Sequence, residues 1–147
     1  MSAVLELSLV PMSIVDSVRA SYSRCRQNAD FFDAFYDHFA RKSSEIGPLF
    51  SQTDMQKQNE LLSEAIDSLI SFAEGNPEAI RHIEEIGISH NEQHLNIKRQ
   101  WYPLWVEALQ DTLRESDPLC TPQLLEQWVQ VIQPGVDHIV SLYESPS

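Results

Sequence analysis

The chain has 147 residues, about one domain at the usual size of roughly 150, and its 42% hydrophobic and 22% charged residues are those of a globular protein. With 22 acids against 10 bases spread along its length, the chain carries a net charge of −12. Such a surface repels phosphate backbones and anionic lipid, which excludes nucleic acid and the membrane surface as expected partners and leaves a basic protein open.

No run approaches the roughly 20 apolar residues of a membrane span. The apolar start MSAVLELSLVPM carries Glu6 and no basic residue, unlike a signal peptide. Cys25 and Cys120 form no CxxC or CxxCH pair, so no zinc site, thioredoxin motif or covalent haem attachment is indicated. Reduced thiols and a cytoplasmic location are the expectation.

Apart from AVLELSLV, apolar residues recur at helical spacing, which predicts an all-α domain over residues 13–144, with an N-terminal extension over 1–12 and a flexible tail over 145–147. A first helix is predicted from Ser13 to Gln27, burying Ile14, Val15, Val18 and Tyr22. Asn28 is placed to cap a second, with Phe32, Phe35, Tyr36 and Phe39 on its inner face.

SSEIGPLF reads as a short helical turn broken at Gly47-Pro48. After SQTD a long helix carries Gln58, Leu61, Leu62, Ala65, Ile66, Leu69 and Phe72 inward, and Gly75 is its C-cap. Asn76 and Pro77 start the next helix, which is expected to stop at Gly87. Another runs from Lys98 to Arg114 with Pro103 in its first turn. The last begins at Thr121-Pro122 and reaches Tyr143, with a kink expected at Pro134-Gly135.

Taken singly, the polar residues on these faces are ordinary: a histidine at a helix end, a tyrosine among phenylalanines, a glutamine early in a helix. Their order is more specific. FYDHFARKSSEIGPLF resembles the second and third helices of bacterial single-domain haemoglobins and of the globin domain of flavohaemoglobins, and Tyr36 precedes Phe50 by 14 residues as the distal tyrosine precedes the haem-packing phenylalanine there. QNELLSEAI resembles the distal helix, GISHNEQHLNI the proximal segment and EQWVQVIQPGVDHIVSLY the final helix. The resemblance spans residues 30–143.

It implies a globin fold, three helices over three, around a non-covalent haem b. His90 is then the iron ligand, since neutral imidazole ligates haem iron and leaves the other axial position for a small gas. Tyr36 and Gln58 become distal donors to a dioxygen ligand that carries partial negative charge, with Gln56 the alternative to Gln58. Phe50 and Leu62 pack on the haem, and Ile97 lies under it. Phe39 and Phe35 stand in the wall behind.

His94 resembles the residue that meets a haem propionate in many globins, a solvent-exposed role being the alternative, and Lys98 or Arg99 is placed to pair with a propionate. His38, His82 and His138 have no expected role. The family's glutamate, which with a tyrosine (Tyr102 here) strengthens the proximal histidine, falls on Tyr143, with Glu144 one residue off its face.

The function expected from the resemblance is reversible binding of dioxygen, and of nitric oxide, by a monomer or homodimer. Nitric oxide dioxygenation with electrons from a separate reductase is the enzymatic alternative. A gas-sensing or haem-free regulatory globin acting through a signalling partner is the third, and AVLELSLV motivates it.

Overall fold

The computed structural model describes residues 12–144, apart from the side chain of Met12. The expected tail over 145–147 and the expected extension, with AVLELSLV in it, lie outside the described residues except for the backbone of Met12, which is already helical. Among the described residues six α-helices and one short 3-10 helix follow in order: α1 Met12–Arg26, α2 Phe31–Lys42, η1 Gly47–Phe50, α3 Met55–Ala73, α4 Pro77–His90, α5 Trp101–Ser116 and α6 Pro122–Ser141. Among the described residues no helix is long and apolar enough to cross a membrane.

The starts of α3, α4 and α6 follow from their caps. The Asp54 carboxylate accepts from the backbone N–H groups of Gln56 and Lys57, the Asn76 side chain from Glu78 and Ala79, and the Thr121 hydroxyl from Leu124. Each satisfies donors that the first helical turn leaves free. Gly75 ends α3 with φ of 79°, a conformation only glycine adopts without a Cβ clash.

Four boundaries differ from expectation. Asn28 does not cap α2: its side-chain Oδ1 accepts from Asp30 N–H in the turn before the helix, and Phe31 is buried where Phe32 was expected. α4 runs through Gly87 to His90. α5 begins at Trp101 and not at Lys98, which still leaves Pro103 in the first turn. α6, with Pro134 inside it, ends at Ser141 and not at Tyr143.

The helices form two layers, α1, α3 and α4 over α2, α5 and α6, with α2 packed along α5 and α6 beneath both α3 and α4. The layers meet in one core that includes Phe31, Phe35, Ile66, Leu109, Trp128 and Ile132. At its α1 end lies a polar knot. The fully buried Asp117 carboxylate receives Arg24 on two oxygens at 2.7 and 2.9 Å and Ser21 at 2.6 Å, and Trp128 Nε1 donates to Ser21 at 2.9 Å. Burial alone would raise the Asp117 pKa, but the hydrogen bonds from Arg24, Ser21 and Leu119 N–H outweigh it and lower it.

Gly87 explains how α4 approaches α6. A Cβ there would stand 2.7 Å from Leu142 Cδ1 and 3.2 Å from Leu142 Cβ. The glycine is a close-packing position inside the helix, and the three residues beyond it carry His90 to the α4 terminus.

Candidate functional site

A cavity of about 520 Å³ lies between the layers, walled by residues of α2, η1, α3, α4, the α4–α5 loop, α5 and α6. That volume is in the range that encloses a whole organic ligand. Tyr36, Phe50, Gln58, Leu62, His90 and Ile97 all stand in its wall, although they come from five different segments.

On the α2–α3 side, the Tyr36 ring packs against Phe50, with centroids 5.1 Å apart, and Phe39 packs beyond it at 6.3 Å. Phe35 is wholly buried behind this wall. Gln58 Nε2 donates to the Tyr36 hydroxyl oxygen at 3.1 Å. Burial pushes the phenol up to about 12, the Gln58 hydrogen bond working the other way. The hydroxyl therefore keeps its proton at neutral pH and remains a donor. Gln56 is exposed at the helix start, so Gln58 is the glutamine in the wall.

On the α4 side, the Ser89 hydroxyl donates to the Ile86 carbonyl at 2.9 Å and sits 2.9 Å from His90 Nδ1. With that hydroxyl proton committed, the arrangement assigns the imidazole proton to Nδ1 and leaves Nε2 with its lone pair free. Burial lowers the His90 pKa, against a hydrogen bond to the Ile86 carbonyl that raises it, so the ring stays neutral at physiological pH.

The loop after α4 turns back at once. Ile97 N–H donates to the His90 carbonyl at 2.9 Å, Leu95 N–H to Ser89, and Asn96 adopts φ of 53°. Ile97 thereby reaches the cavity wall, whereas His94 is exposed, lies outside that wall and has Nδ1 2.8 Å from Asn91 Oδ1. The helix ends between His90 and His94, so the two do not share a helical face.

Tyr143 donates to Asn96 Oδ1 at 2.6 Å and accepts Glu92 N–H on its carbonyl, tying this loop to the end of α6. Glu144 pairs with Arg99 at 3.0 Å in solvent, and Lys98 stands 3.7 Å from Glu45. Tyr102 lines the cavity, its hydroxyl pushed up by burial and by Tyr143. The hydrogen bonds of His90 go to Ser89 and Ile86, and neither Tyr102 nor Glu144 takes part.

The sequence reading missed Ser89, whose signal was a hydroxyl residue adjoining the histidine at a helix end. It also gave no role to His82, which lines the cavity with Nδ1 2.5 Å from Ser68 Oγ. His38 and His138 lie outside the wall and meet Glu115 at 2.5 Å and Glu84 at 3.3 Å.

The donor set tests what the cavity suits. One neutral imidazole nitrogen favours iron, copper or zinc over hard cations. Among the described residues no group of three or more His, Cys, Asp and Glu is placed to hold a metal ion. A metal at His90 therefore needs its other donors from an organic cofactor, and a large, mainly apolar cavity fits a flat macrocycle.

No protein-family model matches the chain, and no curated protein matches it. Among solved structures it is similar to a Pseudomonas aeruginosa PAO1 protein described as structurally highly homologous to a human haemoglobin, with a TM-score of 0.85 and 35% identity over 90% of this chain and 99% of that one. With its two three-helix layers and that relative, the chain belongs to the globin family, among the bacterial haemoglobin-like proteins.

Proposed function

We propose that this globin holds a non-covalent haem b in the cavity with His90 as its axial ligand, and binds dioxygen and nitric oxide reversibly. The observation that carries the proposal is the pairing, in one cavity wall, of a neutral imidazole with free Nε2 and a Tyr36–Gln58 donor pair. When bound, the haem supplies a ferrous iron with one coordination position for a diatomic gas.

The chain's own residues do the rest. Ser89 and the Ile86 carbonyl hold the His90 tautomer and ring orientation, as partners of a ligating imidazole generally do. Gln58 donates to Tyr36 and so leaves the phenol proton available to a polar diatomic ligand. Such a donor favours dioxygen over the less polar carbon monoxide. Phe50 and Leu62 keep this region apolar and restrict water, which protects the reduced state.

Binding is favoured over nitric oxide dioxygenation by the surroundings of His90. Its partners are a hydroxyl and a backbone carbonyl, while Glu144, one residue off the family's glutamate position, pairs with Arg99. A carboxylate-backed imidazole would push electron density onto iron, and this one is not so backed. Dioxygen titration of the reduced, haem-loaded chain tests the proposal: repeated oxygenation and deoxygenation with unchanged spectra is expected, and oxidation in the first cycle would contradict it.

A further inference from the structure

Three leucines in the cavity wall are also solvent-exposed, each on a different segment: Leu49 on η1, Leu61 on α3 and Leu95 on the α4–α5 loop, at 43%, 49% and 65%. A residue that belongs to both wall and surface stands where the two meet, so the three mark the mouth of the cavity. Singly exposed leucines are ordinary, but three of the five large exposed hydrophobics among the described residues border this one cavity.

Charge is distributed the opposite way from what an anionic guest needs. Among the described residues no Lys or Arg lines the cavity, and Glu64 is the acid that does. The cations next to the loop lie outside the wall and face acids: Lys98 stands 3.7 Å from Glu45, and Arg99 pairs with Glu144 at 3.0 Å while its guanidinium lies 5.0 Å from the Tyr143 ring centroid. Lys57, one turn before Leu61, is exposed and outside the wall. The net charge of −12 adds a further bias against anions.

A haem is an apolar disc with two carboxylate arms on one edge. Resting on the haem reading above, we infer that this cavity grips its cofactor by the disc alone, with Leu49, Leu61 and Leu95 closing on the outer edge, and that the carboxylate arms form no ion pair with the chain. The ligand class is thus an iron tetrapyrrole selected by its apolar surface, and one with esterified arms is retained as well as one with free carboxylates.

The test loads the full chain with haem or with haem dimethyl ester and follows transfer of each to excess apomyoglobin at low and high salt. The two compounds should leave at rates within about threefold of each other, since esterification removes no ion pair with the chain. The haem rate should change less than about twofold with salt, because no screened charge pair holds it. Leu61→Ser and Leu95→Ser should each release both compounds about fivefold faster through lost apolar contact, and Lys57→Ala and Lys98→Ala should leave the rates unchanged. Loss of the ester more than about tenfold faster than haem, or a comparable acceleration of haem loss by Lys98→Ala, would overturn the inference by revealing a charge-assisted anchor. If neither compound binds at one per chain, the haem reading itself falls, a result distinct from either of these.

Discussion

Gln58 reaches Tyr36 from the neighbouring helix, and the direction of the hydrogen bond between them, amide nitrogen to phenol oxygen at 3.1 Å, decides what the pair can do. An amide that accepted would consume the phenol proton. An amide that donates leaves that proton free and polarises the hydroxyl, in a phenol that burial already keeps protonated up to about pH 12.

Tyr36→Phe should therefore speed dioxygen release from the haem-loaded protein by about 10- to 100-fold, the value of a hydrogen bond to a charged acceptor. Carbon monoxide release should change little. Gln58→Leu, which removes only the supporting donor, should have a smaller effect. Flash photolysis of the two gas complexes measures this, and an equal change for both gases would mean that Tyr36 acts by bulk alone.

Asp117 anchors the far end of the molecule. Asp117→Asn should lower unfolding free energy by about 2 to 3 kcal/mol in urea titrations, because Arg24 and Ser21 keep their places with their charged acceptor gone. The folded-state pKa of this carboxyl is depressed, so its contribution is present above the ordinary carboxylate value and is lost as pH falls through the lower folded value. The variant should accordingly show a shallower acid limb than the parent, with gas binding unaltered.

Gly87→Ala should cost about 1 to 3 kcal/mol by overpacking. The new methyl would meet Leu142 at two atoms, one of them the stiff Cβ, and press α4 away from α6. Since His90 ends the same helix, faster haem loss should accompany the lower melting temperature. A variant that melts like the parent would show that Leu142 yields freely.

Three buried acids contribute to alkaline stability beside Tyr102, whose hydroxyl burial also pushes up. Burial raises Tyr22 and Tyr36 from 10.0, and Cys25 from 9.0, each to about 12. In the folded state each keeps a proton that the unfolded chain has already released. Their stabilisation is full below the unfolded values and is lost as pH rises through the folded ones, at about 1.4 kcal/mol per pH unit for each group in between. Urea midpoints should fall steeply above about pH 9 to 10, and Tyr36→Phe should flatten the upper part of that fall.

Much of this architecture was legible because it rests on local chemistry. Asn76-Pro77 and Thr121-Pro122 announce helix starts through side chains that cap within three residues, and Gly75 announces an end through its positive φ. Gly87 misled for a reason of range. Its role is set by Leu142, more than fifty positions away, and a glycine required by distant packing looks locally like one required by a turn. The course of the chain after His90 was illegible for a related reason: Asn91 to Asn96 fold back onto the α4 terminus and are held by Tyr143 from the end of α6, contacts that no local spacing announces. The cavity residues Tyr36, Phe50, Gln58, Leu62, His90 and Ile97 came from a family resemblance, since nothing in their individual spacing predicts that five segments converge. The leucine rim carried no such signal, because exposure and wall membership are properties of the folded chain alone.

His90 is the centre of the proposed site, and the most direct measurement is the absorption spectrum of the purified chain, ferric, dithionite-reduced and carbonyl-bound, with haem quantified per chain, beside His90→Ala. One haem b per chain with a histidine-ligated carbonyl spectrum, lost in the variant and restored by added imidazole, is the predicted result. A His90→Ala protein with unchanged stoichiometry and spectrum would contradict the assignment of the axial ligand and, with it, the proposed site.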